Sequence, residues 1–169
     1  MISNSKNICI KKLMFMVQHY NHIKYWKRRN IVINPNNKTF RLLKLYYLFY
    51  IKKSDAYANA SMGTDLNQGA LFKTPPHLPH HLNGIVVSPY AKIGSNCTIF
   101  QQVTIGQSED GKAPVIGNNV LIGAGAKIIG DISIGDNVKI GANCIVVENI
   151  PDNATVVLNK PRILIKENI

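Results

Sequence analysis

The sequence predicts a mainly β protein, a parallel β-helix of hexapeptide repeats preceded by a short basic α-helical N-terminal segment. Three observations carry this prediction. First, an aliphatic residue returns at a six-residue step, at Ile93, Ile99 and Ile105, then at Ile116, Ile122, Ile128, Ile134, Ile140 and Val146. Second, Gly follows six of these nine, at Gly94, Gly106, Gly117, Gly123, Gly135 and Gly141, and a small or apolar residue such as Cys97, Val103, Ala126 or Cys144 sits four places on. Neither a 3.6-residue helix nor a two-residue strand alternation gives a period of six. A hexapeptide repeat does: each hexad forms one short side of a prism, the aliphatic points inward, and stacked coils share one core. Third, charge divides the chain. Residues 1–53 hold twelve Lys and Arg and no Asp or Glu, whereas residues 54–169 hold eight against nine.

Residues 1–60 form the basic helical segment. Residues 5–29 read as a helix with a basic and aromatic face (His19, Tyr20, Tyr25, Trp26, Lys27, Arg28 and Arg29). Residues 30–37 read as a loop, since Pro35 and paired Asn favour turns. Thr39 is placed to cap a second helix running to about Lys53, whose Tyr46, Tyr47, Phe49 and Tyr50 should pack against neighbours, and a further short helix is expected at 55–60. Residues 61–84 form an irregular approach and first coil, broken by Gly63, Gly69, Pro75, Pro76 and Pro79 and carrying His77, His80 and His81. The repeat proper spans 85–163, with a tail at 164–169. Ile105 and Ile116 lie eleven residues apart, one short of two hexads. The polar segment 107–115 between them predicts a loop, and loops on rigid scaffolds commonly carry function.

A chain of 169 residues suits one domain with an appendage. The basic third points to an anionic partner, a membrane surface or acidic glycan reached through residues 1–53, or else to a solvated helical face. No zinc-finger spacing or helix-turn-helix pattern supports nucleic acid. Three cysteines, Cys9, Cys97 and Cys144, without a CxxC, read as core thiols in a reducing compartment. The apolar runs 8–17 and 42–51 are short and carry lysines, so neither reads as a signal peptide or a membrane span. The expected location is cytoplasmic, with membrane-peripheral attachment as the alternative. No three-histidine set has metal-ligand spacing, so no metal is expected.

From Leu78 to Ile163 the chain resembles the serine acetyltransferase family of hexapeptide-repeat acyltransferases. The resemblance rests on His81-Leu82-Asn83-Gly84-Ile85-Val86-Val87, on Gln102-Val103-Thr104-Ile105-Gly106 and above all on Ile122-Gly123-Ala124-Gly125-Ala126-Lys127-Ile128-Ile129-Gly130. It covers roughly half the chain. The approach Ala60-Ser61-Met62-Gly63-Thr64 and the run Phe72-Lys73-Thr74-Pro75-Pro76 look most like the variants of surface-polysaccharide loci. The resemblance implies a left-handed β-helix, a homotrimer, acetyl-CoA bound as co-substrate in a groove between prisms, and a histidine base.

The chemistry suits those residues. An alcohol is a poor nucleophile at neutral pH, and a neutral imidazole within hydrogen-bond reach takes its proton as it attacks a thioester. Transfer is then direct, with no acyl-enzyme on Cys97 or Cys144. The family spacing His-x-x-Gly selects His81, while the Pro-His pattern of the polysaccharide variants selects His80, and the reading leans to His80. Asp65, fifteen residues before His80, matches the family spacing for an orienting carboxylate. The matched cofactor positions are Gly106, Gln107, Ala124, Lys127 and Ala142, where small residues admit the pantetheine arm to the backbone. Lys127, Lys160 and Arg162 are candidates for the CoA phosphates. Family serine enzymes carry a histidine where this chain has Ala113. That departure favours a sugar hydroxyl in surface-polysaccharide biosynthesis as acceptor over L-serine, which Glu109 and Lys112 could still hold. A non-catalytic scaffold is the third reading.

Overall fold

The computed structural model describes residues 19–159, so the expectations for Cys9, Lys160, Arg162 and the tail 164–169 lie outside the described residues. Within them the repeat winds into a left-handed parallel β-helix of three faces. The first face stacks β4 (Val86–Val87), β7 (Thr104–Gly106), β10 (Lys127–Ile129) and β13 (Ile145–Val146). The second stacks β3 (Leu71–Phe72), β5 (Lys92–Ile93), β8 (Val115–Ile116) and β11 (Ser133–Ile134). The third stacks β6 (Thr98–Ile99), β9 (Leu121–Ile122), β12 (Lys139–Ile140) and β14 (Thr155–Val156). The register stacks like on like: Ile93 over Ile116, Ile99 over Ile122, Ile105 over Ile128. All nine periodic aliphatics are at most 2% exposed, and Cys97 and Cys144 are buried beside them as free thiols.

The ladder corrects the reading of the break. Ile105 and Ile116 sit on adjacent faces, one hexad apart, so residues 107–115 carry a five-residue insertion rather than a one-residue deletion from two hexads. Eleven residues fit either count, and only strand pairing separates them. The pairings also begin ahead of Ile85. Ser61 bridges Val86, Leu71–Phe72 pairs with Lys92–Ile93, and His77 bridges Thr98. The segment rich in Pro and Gly therefore supplies the outermost rung of every face.

Turns are paid for by residues that tolerate a left-handed backbone. Asn96, Asn119, Asn137 and Asn153 all have φ between 55° and 61° at one corner. Their side-chain amides stack, with Asn119 Nδ2 donating to Asn137 Oδ1 (3.1 Å) and Asn137 Nδ2 to Asn153 Oδ1 (3.0 Å). Asn is the non-glycine residue most at home there, and the ladder satisfies amides that a bare turn would leave to water.

Among the described residues, two helices pack on the first coil. Helix α1 (His22–Ile33) begins where Asn21 Oδ1 accepts the Lys24 N–H, and it continues past the expected end at residue 29 to Ile33. Helix α2 (Arg41–Tyr57) takes in residues 55–57 of the short helix expected at 55–60, and residues 58–60 lie beyond its end. Thr39 does not cap it: Phe40 occupies that position without a side-chain bond, and the Thr39 N–H is held by Asn37 Oδ1. The aromatics of α2 divide. Tyr47 and Tyr50 lie partly buried and stack with Tyr46 around the Arg28 guanidinium, while Tyr46 and Phe49 stay mostly exposed.

Arg29, fully buried, fastens α1 to the first coil. Its Nε donates to Thr64 Oγ1 (2.9 Å), and one Nη donates to the carbonyls of Met62 (2.9 Å) and Ala70 (2.7 Å). Nearby, Asp55 of α2 accepts the Tyr25 hydroxyl at 2.6 Å. Burial raises the Asp55 carboxyl to about 6, against partial relief from that hydrogen bond. A carboxyl raised on folding contributes stability below its unfolded value that is lost as pH rises through about 6. A shift of this size corresponds to about 3 kcal/mol at most. Urea unfolding at pH 5 and pH 7.5 should show Asp55→Asn less pH-sensitive than the wild type in this sense. An unchanged pH difference in the variant would refute the assignment.

Candidate functional site

The first coil enlarges one corner. Between the third and first faces, Thr98 to Thr104 takes six residues, as do Leu121 to Lys127 and Lys139 to Ile145. In the first coil, His77 to Val86 takes nine. The three additional residues push out a turn that carries His80 and His81. His81 has φ 56°, the left-handed region that costs a non-glycine residue about 1 kcal/mol or more. Gly84, at φ 65°, returns the chain to the ladder.

Below this turn the same edge runs down the prism. Gln102 N–H donates to the Asn83 carbonyl (2.9 Å), Gly125 N–H to Gln101 (3.0 Å) and Asn143 N–H to Ala124 (2.8 Å). The edge therefore stacks the histidine turn over Gln101 and Gln102, then Ala124, then Ala142. Small residues are required there: a Cβ on Gly123 would sit 2.6 Å from Ala142 N. Lys127 lies at the same corner, its ammonium donating to the carbonyls of Gln102 (2.9 Å) and Gly125 (3.0 Å). The structure thus brings His80, His81, Ala124, Lys127 and Ala142 to one edge.

Gly106 and Gln107 are not on it. They lie across the first face, where the loop leaves the prism, and Gln107 Oε1 accepts the Ser88 hydroxyl at 2.9 Å. Lys112 within the loop pairs with Asp131 (2.8 Å) and Asp110 (3.5 Å). Asp65 is placed elsewhere. It is exposed in the hairpin of β1 (Thr64–Asp65) and β2 (Gln68–Gly69), its carboxylate holds the Leu66 N–H, and no hydrogen bond or ion pair links it to either histidine.

The two histidines differ in surroundings. His80 is exposed, its ring 6.0 Å from that of Phe100. His81 is half-buried, edge to face with Tyr20 at 5.6 Å. Burial, and then the neighbouring His80, lower the His81 pKa below the ordinary histidine value. Burial lowers His22 in the same way and raises the Tyr20 phenol, and the Tyr20 hydroxyl and His22 Nδ1 share a hydrogen bond of 2.8 Å. Tyr20, Tyr57 and Asn59 line a depression shared with His80, His81 and Asn83. Nothing in the repeat marks Tyr57 or Asn59 for this site, because their position depends on how the helices dock. Among the described residues no cluster of His, Cys, Asp or Glu could hold a metal ion.

The fold and this edge define a hexapeptide-repeat transferase, and the family model "Bacterial transferase hexapeptide (six repeats)" matches residues 113–147. The serine acetyltransferase of Helicobacter pylori is 33% identical over 129 residues, covering 75% of this chain and 75% of that protein. The chain belongs to the serine acetyltransferase family. It spans between 42% and 46% of other curated serine acetyltransferases that it matches. The crystal structure of Neisseria gonorrhoeae serine acetyltransferase in complex with serine aligns with TM-score 0.63 and 28% identity, covering 95% of this chain and 64% of that one. A serine acetyltransferase complex with CoA aligns with TM-score 0.60 and 27% identity, covering 78% and 50%.

These relatives overturn the sugar hydroxyl in surface-polysaccharide biosynthesis as the acceptor. They support the family and not its polysaccharide variants specifically. The inference from Ala113 failed for a physical reason. One missing side chain removes one contact, whereas an ammonium and a carboxylate can be held by several other donors and acceptors.

Proposed function

We propose that the chain is an acetyl-CoA-dependent L-serine O-acetyltransferase, with His81 as general base. The observation that carries the proposal is the stacking of the histidine turn above the small-residue edge at Ala124 and Ala142 in a chain of this family. His81 has what a base needs: a depressed pKa keeps its imidazole neutral at pH 7, and the Tyr20 ring fixes one side of it. It would take the proton of the serine hydroxyl as the new C–O bond forms at the thioester carbonyl. Collapse then breaks the C–S bond and the proton passes to the CoA sulfur. Ala124 and Ala142 leave backbone groups open to the pantetheine arm, and Lys127 would turn from its carbonyl partners to meet phosphate.

The CoA groove would be completed by a second prism in a homotrimer. On one chain the histidine edge and the loop edge with Gly106 and Gln107 flank a whole face, and cyclic packing sets one chain's loop edge beside its neighbour's histidine edge. Outward-facing Val86 and Ile145 on that face, 44% and 68% exposed, suit burial there. The test is thiol release from acetyl-CoA by the purified protein with L-serine, alongside light scattering. Serine-dependent release by a particle three times the 18.8 kDa chain is expected. Release that does not depend on serine would overturn the acceptor, and a monomer with full activity would overturn the shared groove.

A further inference from the structure

Helix α2 is apolar on both sides. Its core face holds Ile51 together with Lys44, Ser54 and Asp55, all buried, while Leu42, Leu45, Tyr46 and Phe49 are 66%, 41%, 57% and 66% exposed. These four follow the i, i+3, i+4, i+7 spacing that sets residues on one stripe. A contiguous exposed apolar stripe of this kind marks an interaction surface.

Its surroundings select the partner. Arg41, Lys52 and Lys53 on the same helix, with Lys24, Lys27 and Lys38 nearby in sequence, are all exposed. From residue 19 to residue 64 the single acid is Asp55, and it is buried. A second copy laid on this stripe would bring two cationic rims together with no acid to answer them. A nucleic acid would leave Leu42, Leu45 and Phe49 uncovered. An anionic bilayer surface satisfies both features, since the aromatic and leucine side chains enter the headgroup boundary and lysines flank them on aliphatic stems. No described helix is long and apolar enough to cross a membrane, so α2 would lie in the interface plane.

We propose that the outer face of α2 docks the protein on anionic lipid, with Leu42, Leu45, Tyr46 and Phe49 inserted and Arg41, Lys52 and Lys53 against the headgroups. The proposal is independent of the acceptor chemistry. The test is co-sedimentation of the full chain with phosphatidylcholine vesicles, with and without phosphatidylserine. The wild type should pellet only with phosphatidylserine, and added salt should weaken it. Phe49→Ser should lower partitioning on the order of tenfold. Lys52→Gln and Lys53→Gln should each lower it about fivefold. These side chains are exposed, so thermal melts of the variants should match the wild type. Failure to bind, equal binding to both vesicle types, or a Phe49→Ser change in oligomer mass with unchanged lipid partitioning would each overturn the proposal.

Discussion

His81→Ala should abolish serine-dependent turnover, lowering kcat on the order of 10²- to 10⁴-fold, the usual contribution of a positioned general base. Acetyl-CoA affinity by calorimetry should stay within about threefold, because the ring lies at the head of the edge and not among the small residues below it. His80→Ala should cost less than about tenfold, since that side chain is exposed and acts on its neighbour chiefly through charge. The pH profile supplies a separate check. A base works deprotonated, so kcat/KM should rise with pH through the His81 pKa and level off. Because burial lowers that pKa, the rise should be complete at more acidic pH than for an ordinary histidine. If His80→Ala is the silent variant instead, the assignment of the base is wrong while the transferase reading survives.

Arg29→Ala should destabilise the protein by about 4 kcal/mol, a large share of the stability of a typical domain. The reason is asymmetric. The substitution removes a charged donor, takes the 2.7 Å hydrogen bond from the buried Ala70 carbonyl, and leaves the Met62 carbonyl only the long 3.5 Å bond from the Thr64 hydroxyl as a side-chain contact. It further removes the cation from over the Phe72 ring of the first coil, 4.9 Å away. Arg29→Lys should recover only part of the loss, because a point charge cannot reach Thr64 and the carbonyls together. Lys27→Ala, exposed on the same helix, should stay within about 0.5 kcal/mol. Urea denaturation followed by circular dichroism measures all three. An Arg29→Ala variant as stable as the wild type would mean that the helices do not depend on this tether.

The polysaccharide reading shows where a local argument overreached. Ala113 was a true difference at one position, but acceptor choice depends on every group around a pocket. The two histidines show the opposite case. Both were visible as a pair at the entrance to the first coil, yet their order in the chain cannot say which ring faces the Tyr20 wall.

The six-residue period, the inward aliphatics and the charge divide were legible in the amino-acid order, because a repeating side-chain pattern is a local property that each hexad states for itself. So was the small-residue edge, since Gly123, Ala124, Gly141 and Ala142 recur at one phase of that period. Which strand pairs with which is not local. Only the ladder turned the gap from Ile105 to Ile116 into an insertion, placed Gly106 and Gln107 across a face from the histidines, and left Asp65 in a hairpin of its own. Only the docking of α1 and α2 buried Asp55, set Tyr20 against His81 and turned Leu42 and Phe49 outward. These are outcomes of packing between segments far apart in the chain, decided by which contacts bury the most surface with the fewest polar groups stranded.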